Sequence, residues 1–204
     1  VGRKIRRVFF IGQGTAGVAA LACANILRYY LNDTAIYIAA RKASELSGFS
    51  LNALDSADSM ADTLVVAISQ SGTTTDTNRT VDMVRERGAK IIAIVNRRDS
   101  DLTFKVDGVM YTSSGRDIEM SVASTKAFYS QIVAGALLSL HIACLVDRRD
   151  TAFVSEEIKA LLRLPAVMQT VLSNHREIGI SAKRLATTKT YWATSDGISK
   201  ALVT

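Results

Sequence analysis

Leu64-Val65-Val66-Ala67-Ile68-Ser69-Gln70-Ser71-Gly72-Thr73-Thr74-Thr75-Asp76-Thr77 changes character halfway along its length. Its first six residues are continuous, apolar and rich in β-branched types, as expected for a strand covered on both faces. A loop of hydroxyls and one amide around a single glycine follows. The polar run Thr75 to Arg87 then reads as a helix, closed by Gly88 as a C-cap signal. The same strand-to-helix rhythm continues on both sides. Upstream lie Arg7 to Gly12 (RVFFIG), the helical Gly17 to Leu31, and the short run Thr34 to Ala40. Downstream lie Lys90 to Val95, the weaker Val109 to Thr112, and a long helix over Ser124 to Val146. Ser155 to Asn174 and Arg176 to Thr188 are helical again, with Pro165 expected to break or kink the first. Strands at 7–12, 34–40, 64–69, 90–95 and 108–112, alternating with helices, predict an α/β protein. Its five-stranded parallel sheet sits inside a three-layer αβα sandwich. Tyr191 to Thr194 reads as one more strand.

The composition supports one ordered domain. The chain has 204 residues, 48% hydrophobic and 22% charged, which excludes disordered, collagenous and disulfide-scaffold classes. One proline against 12 glycines leaves no Pro-rich linker. Cys23 and Cys144 both lie in apolar runs and are expected to be reduced, buried thiols. With no C-x-x-C and only His141 and His175, no metal site is expected. The apolar run Ile132 to Val146 falls short of the ~20 residues of a membrane span, so a buried helix and a cytoplasmic protein are expected. The net charge of +6 suits an anionic ligand. Its basic clusters (Arg3–Arg7, Arg97–Arg98, Arg148–Arg149) lack interleaved aromatics, which argues against nucleic acid.

In an open parallel sheet, ligands bind where helix N-termini meet the carboxyl ends of strands. Three loops there carry chemistry. Gly12-Gln13-Gly14-Thr15-Ala16-Gly17 is a literal G-x-G-x-x-G, and by itself it reads equally as a dinucleotide turn, another phosphate turn, or a tight corner. The acid that would confirm a dinucleotide site is replaced by Arg41 and Lys42. Ser69 to Thr77 offers neutral donors at a helix N-terminus, without the lysine of a P-loop. An ordinary N-cap needs one such residue rather than a run; Asp76 fits capping better than anion binding. Glu119 to Phe128 opens the long helix. Lys126 sits in its first turn, against the helix dipole, with Glu119 as an intramolecular partner or a ligand as the alternative.

At these residues the chain resembles a known family. Ser69 to Thr77 resembles the S-Q-S-G-E-T-A-D-T signature of sugar isomerase (SIS) domains. Glu119 to Phe128 resembles the E-I-G-V-A-S-T-K-A-F segment in the isomerase half of glutamine–fructose-6-phosphate amidotransferases. Ala43-Ser44-Glu45-Leu46 resembles that group's A-S-E-F, and Leu161 to Pro165 its L-x-x-L-P. The likeness extends over about residues 1–190, the first of two SIS domains. It implies a flavodoxin/Rossmann-like SIS domain over 1–150, a helical connector packed on it over 151–190, and the start of a second SIS domain at 191–204.

The resemblance also implies roles. Ser69, Gln70, Ser71, Gly72 and Thr74 match the phosphate-binding loop. Gly14, Thr15, Val122 and Ser124 match residues along the sugar; Thr73, Glu119 and Lys126 are further candidates. The family's C-G-T-S turn reads Gln13-Gly14-Thr15-Ala16 here, and Thr73 stands where the family has Glu. The implied ligand is fructose 6-phosphate or glucosamine 6-phosphate, with no cofactor. Acid–base and Schiff-base residues are implied to lie in the second SIS domain and a C-terminal tail, so no catalytic residue is expected here; Lys200 is read as a surface residue. A glutaminase domain and the second SIS domain are the implied partners, within a homodimer. A sugar-phosphate sensor of a regulator is the alternative, and an NADP-dependent oxidoreductase using Gly12, Gly14, Gly17 and Arg41 a remote one.

Overall fold

A computed structural model of the chain describes residues 5–32, 34–51, 59–113 and 126–188. Five parallel strands, β1 (Arg7–Gly12), β2 (Tyr37–Lys42), β3 (Thr63–Ser69), β4 (Lys90–Val95) and β5 (Gly108–Tyr111), form one sheet in the order β2-β1-β3-β4-β5. The chain turns outward from β1 to β2, then crosses to β3 on the other side. The carboxyl ends of β1 and β3 are therefore the place where the crossover direction reverses.

The period-2 geometry of β3 divides the core between the two sheet faces. Val66 and Ile68, fully buried, pack with Val8, Phe10 and Ile94 beneath helices α1 (Thr15–Tyr30) and α3 (Lys126–Leu145). Val65 and Ala67 face the other way, with Ile91 and Ala93, against Val81 and Val84 of α2 (Thr75–Glu86) and Leu46 and Leu51 of a short helical segment that begins at Ala43. These are the three layers expected from the alternation of strands and helices.

α3 spans 20 residues, and its Ala127–Leu145 portion is long and apolar enough to cross a membrane by length and composition. That is longer than the expected apolar run, because helix geometry continues through Ala127 to Gln131 ahead of it. Its packing is that of a core helix. A Cβ built on Gly135 would lie 2.2 Å from Cys23 Sγ, so α1 and α3 approach more closely than any larger residue permits. Cys23 and Cys144 both carry free thiols, but only Cys23 is buried as expected; Cys144, in the last turn of α3, is half-buried because the helix end rises out of the core.

Two boundaries differ from expectation. β2 begins at Tyr37 and runs through Arg41 and Lys42, since an edge strand tolerates charge at its end. Helix α4 (Thr151–Ser173) starts earlier than expected, because Asp150 caps it by accepting the Phe153 N–H at 2.8 Å. α4 also continues through Pro165 instead of breaking there. The missing hydrogen bond faces water on this exposed helix, and the chain turns only at Asn174, before α5 (His175–Thr188). The first turns of α4 are fixed to α1. Tyr30 Oη donates to Glu157 at 2.7 Å, the Tyr30 and Phe153 rings meet edge to face at 5.6 Å, and the Arg149 guanidinium donates to the carbonyls of Tyr29 and Tyr30. Burial, then Glu157, raises the Tyr30 hydroxyl pKa well above its ordinary value. No residue of α4 is buried, and Leu162, Val167, Val171 and Leu172 are exposed. The expected strand at Tyr191 to Thr194 lies outside the described residues.

Candidate functional site

Two strand-to-helix turns stand side by side at the carboxyl ends of β1 and β3. In the first, glycine is required by contact. A Cβ on Gly12 would come within 2.6 Å of the Ala16 carbonyl group, and one on Gly17 within 3.3 Å of the Gly12 oxygen. Gly14, at φ 57°, is the residue before α1 and makes no side-chain cap. Its carbonyl accepts the Gly17 and Val18 N–H groups at 2.9 and 3.3 Å. Gln13 turns aside, its Oε1 accepting from the Ser44 N–H and hydroxyl at 3.3 and 3.2 Å. Arg41 is folded back as well, donating to the Ala40 carbonyl and the Tyr37 hydroxyl. The glycines thus serve strand–helix packing, and the arginine that a 2′-phosphate would need is engaged on its own strand.

The second turn is built from hydroxyls. Ser69 ends β3, 2% exposed, and its Oγ accepts the Gly72 N–H at 3.0 Å, so it ties the turn together from below. Gly72 adopts φ 68°, which favours glycine. A Cβ there would also lie 2.0 Å from Ser100 Oγ. The Gly72 carbonyl accepts from Asn78 Nδ2 and the Leu102 N–H, both at 3.0 Å. The Gln70 carbonyl accepts the N–H groups of Asn96 and Arg97 at 3.3 and 3.2 Å. The loop after β4 therefore braces the back of the turn from Gln70 to Gly72.

This bracing leaves the outer groups free to donate. Ser71 Oγ accepts from the Thr73 N–H at 3.2 Å and from the Thr73 hydroxyl at 3.0 Å. Among the described residues no acceptor is paired with its own O–H, which can serve an outside oxyanion. Thr74 precedes α2 and makes no side-chain cap, so the first-turn N–H groups receive no hydroxyl from it. Ordinary capping, the plain reading of this threonine run, does not account for Thr74. Asn78, 8% exposed, was not singled out by sequence reasoning; both its Nδ2 contacts, to Gly72 and Thr74 carbonyls, fix the turn. Ser100 and Asn96, which brace the same turn, were missed too. Their only sequence signal is that polar residues sit where the fold buries them.

The structure brings together Ser69, Gln70, Ser71, Gly72, Thr73 and Thr74 in one turn, with Gly14 and Thr15 at the next strand end. Glu119, Val122 and Ser124 lie outside the described residues. Lys126 opens α3, and its side chain lies outside them as well. Among the described residues no His, Cys, Asp and Glu cluster fits a metal ion.

Chemically, two helix N-termini without side-chain caps converge at a crossover reversal, lined by neutral donors. That arrangement suits a small oxyanion or phosphate, whose charge the backbone N–H groups and helix dipoles favour.

The SIS domain family matches residues 3–140. The glutamine–fructose-6-phosphate aminotransferase (isomerizing) of Corynebacterium efficiens is 44% identical over 116 residues, covering 57% of this chain and 18% of that protein. That of Mycolicibacterium paratuberculosis is 33% identical over 188 residues, covering 92% of this chain and 28% of that protein. Among solved structures, the C-terminal domain of glucosamine–fructose-6-phosphate aminotransferase from Francisella tularensis superposes with a TM-score of 0.73 at 26% identity, over 85% of this chain and 46% of that one. A structure from Clostridium difficile, 22% identical with a TM-score of 0.69 over 85% of this chain and 49% of that one, shares the fold. The chain spans less than a third of the length of these curated relatives. A match over residues 3–140 takes in the whole sheet and both turns at the crossover reversal: the chain belongs to the SIS domain family.

Proposed function

We propose that this chain is the sugar-phosphate-binding SIS domain of a glutamine:fructose-6-phosphate amidotransferase (isomerizing), which makes glucosamine 6-phosphate. The observation that carries the reading is the Ser69 to Thr74 turn, braced from behind and left with outward donors at an uncapped helix N-terminus. Ser71 and Thr74 donate hydroxyls to the 6-phosphate, together with the first N–H groups of α2. Gln70 completes the loop, and Ser69 and Gly72 set its shape from below. Thr15 and Gly14 approach the sugar from the neighbouring strand end, and Val122 and Ser124 line its chain. Thr73, Glu119 and Lys126 adjoin it.

In the described part of this turn the groups are hydroxyls, an amide and backbone N–H, with Asp76 in the first turn of α2 as the carboxylate. Such groups anchor and orient a phosphate but hold no base beside the sugar carbons. On this reading the turn binds the phosphate, and the acid–base groups of the reaction are supplied from outside it. Ring opening, isomerisation and nitrogen transfer depend on a second SIS domain and a glutaminase domain, in a cytoplasmic homodimer. Isothermal titration of the folded chain with fructose 6-phosphate and glucosamine 6-phosphate tests the reading. Saturable binding is expected, without interconversion of the two sugars. Absence of binding at millimolar ligand overturns it.

A further inference from the structure

We infer that Arg97, in the turn after β4, is a specificity-determining residue of the site, supplying the positive charge that the hydroxyl turn lacks. The inference rests on the sugar-phosphate reading of that turn.

A phosphate monoester is close to dianionic at neutral pH. The turn from Ser69 to Thr74 meets it with neutral donors alone. One candidate cation is Lys126, whose side chain lies outside the described residues; the others are at the strand ends and in the turns that follow them. Most of those in the described chain are engaged. Arg41 is bonded to the Ala40 carbonyl and the Tyr37 hydroxyl. Lys42 lies 3.7 Å from Glu45. The Arg98 guanidinium stacks over the Tyr111 ring at 4.2 Å.

Arg97 differs from these three. Its backbone N–H is bonded to the Gln70 carbonyl at 3.2 Å, which fixes its position one hydrogen bond from the phosphate turn. The residue is exposed, and among the described residues no ion pair joins it to Asp99 or Asp101 of its own loop. Asn96, directly before it, is 5% exposed and accepts from the Thr112 hydroxyl at 3.3 Å, so the anchor is rigid while the guanidinium is available. A backbone-tethered guanidinium, without an ion-pair partner among the described residues, adds to a neutral oxyanion turn a long-range attraction that hydroxyls cannot. It favours phosphorylated sugars over neutral ones of the same shape.

The test is titration of fructose 6-phosphate into the 204-residue chain and its variants at low and high salt, with circular dichroism confirming the fold. Arg97→Ala is expected to weaken binding about three- to tenfold at low salt, the ratio shrinking toward one at high salt as the exposed charge is screened. Arg97→Lys is expected to recover part of the loss. Arg6→Ala, which removes the same charge at the opposite end of the sheet, is expected to stay within about twofold of the parent chain. Equal losses in Arg97→Ala and Arg6→Ala would show an effect of net charge and overturn the inference. Unchanged affinity in Arg97→Ala, with the parent chain binding normally, overturns it while leaving the hydroxyl turn in place. A parent chain that does not bind removes the sugar-phosphate reading, and this inference with it.

Discussion

The turns after β1 and β3 start from the same topology, a parallel strand feeding a helix, yet use glycine in opposite ways. After β1, Gly12 and Gly17 let the helix press against the strand, and the neighbouring polar side chain, Gln13, bonds inward to Ser44. After β3, Gly72 is the bend that turns hydroxyls outward, and the surrounding bonds hold that bend in place. A glycine motif is therefore a statement about backbone clearance. Whether it also marks a ligand depends on where the adjacent polar groups point.

Substitutions separate the two uses. The largest effect is expected for Gly12→Ala. Its Cβ meets the Ala16 backbone, which cannot give without moving α1, so a loss of about 3 kcal/mol or more is expected in urea unfolding. A loss under about 1 kcal/mol would mean that the strand and helix are not locked together there. Gly72→Ala comes next, at about 1–3 kcal/mol from left-handed backbone strain and overlap with Ser100. Because Ser100 is a side-chain obstacle, Gly72→Ala combined with Ser100→Gly should recover part of that loss, leaving the backbone term. No recovery would place the whole cost in the backbone.

Ser71→Ala is expected to leave stability within about 0.5 kcal/mol and to weaken sugar-phosphate binding by about 0.5–3 kcal/mol, read by calorimetry. Equal binding would remove Ser71 from the site. Gln13→Ala should do the reverse on a smaller scale, losing about 0.5–1.5 kcal/mol of stability with its Ser44 contact while affinity holds. The smallest expected signal is none at all: fluorescence titration with NADPH should show no binding, and saturation would return the first turn to the dinucleotide reading.

Most of the sheet was legible because β3 and β4 are unbroken apolar runs, which in a parallel sheet mark burial on both faces. The end of β2 was harder, since Arg41 and Lys42 look like loop residues although they sit on an edge strand. Pro165 does not end α4, because its cost depends on whether the freed carbonyl can reach water, which a linear pattern does not contain. The hydroxyls of the site were legible as a cluster. Their division into inward and outward groups was not, because Asn78, Ser100 and Asn96 act from other elements through contacts made only in the folded chain. Asp150 shows the opposite case: a cap three residues from its bonded N–H is local, yet the sequence reading starts the helix at Ser155.

The close contact between Gly135 and Cys23 gives the chain a reporter of its own integrity. Burial pushes the Cys23 thiol up to about 12, so at neutral pH it is neither ionised nor reachable by an alkylating reagent. Cys144, on the same helix as Gly135, is only half-buried. Labelling kinetics on the unmodified chain would then have two phases: a prompt one from Cys144, and a slow one from Cys23 timed by the separation of α1 from α3. The delay between them measures how long the helical layer stays closed.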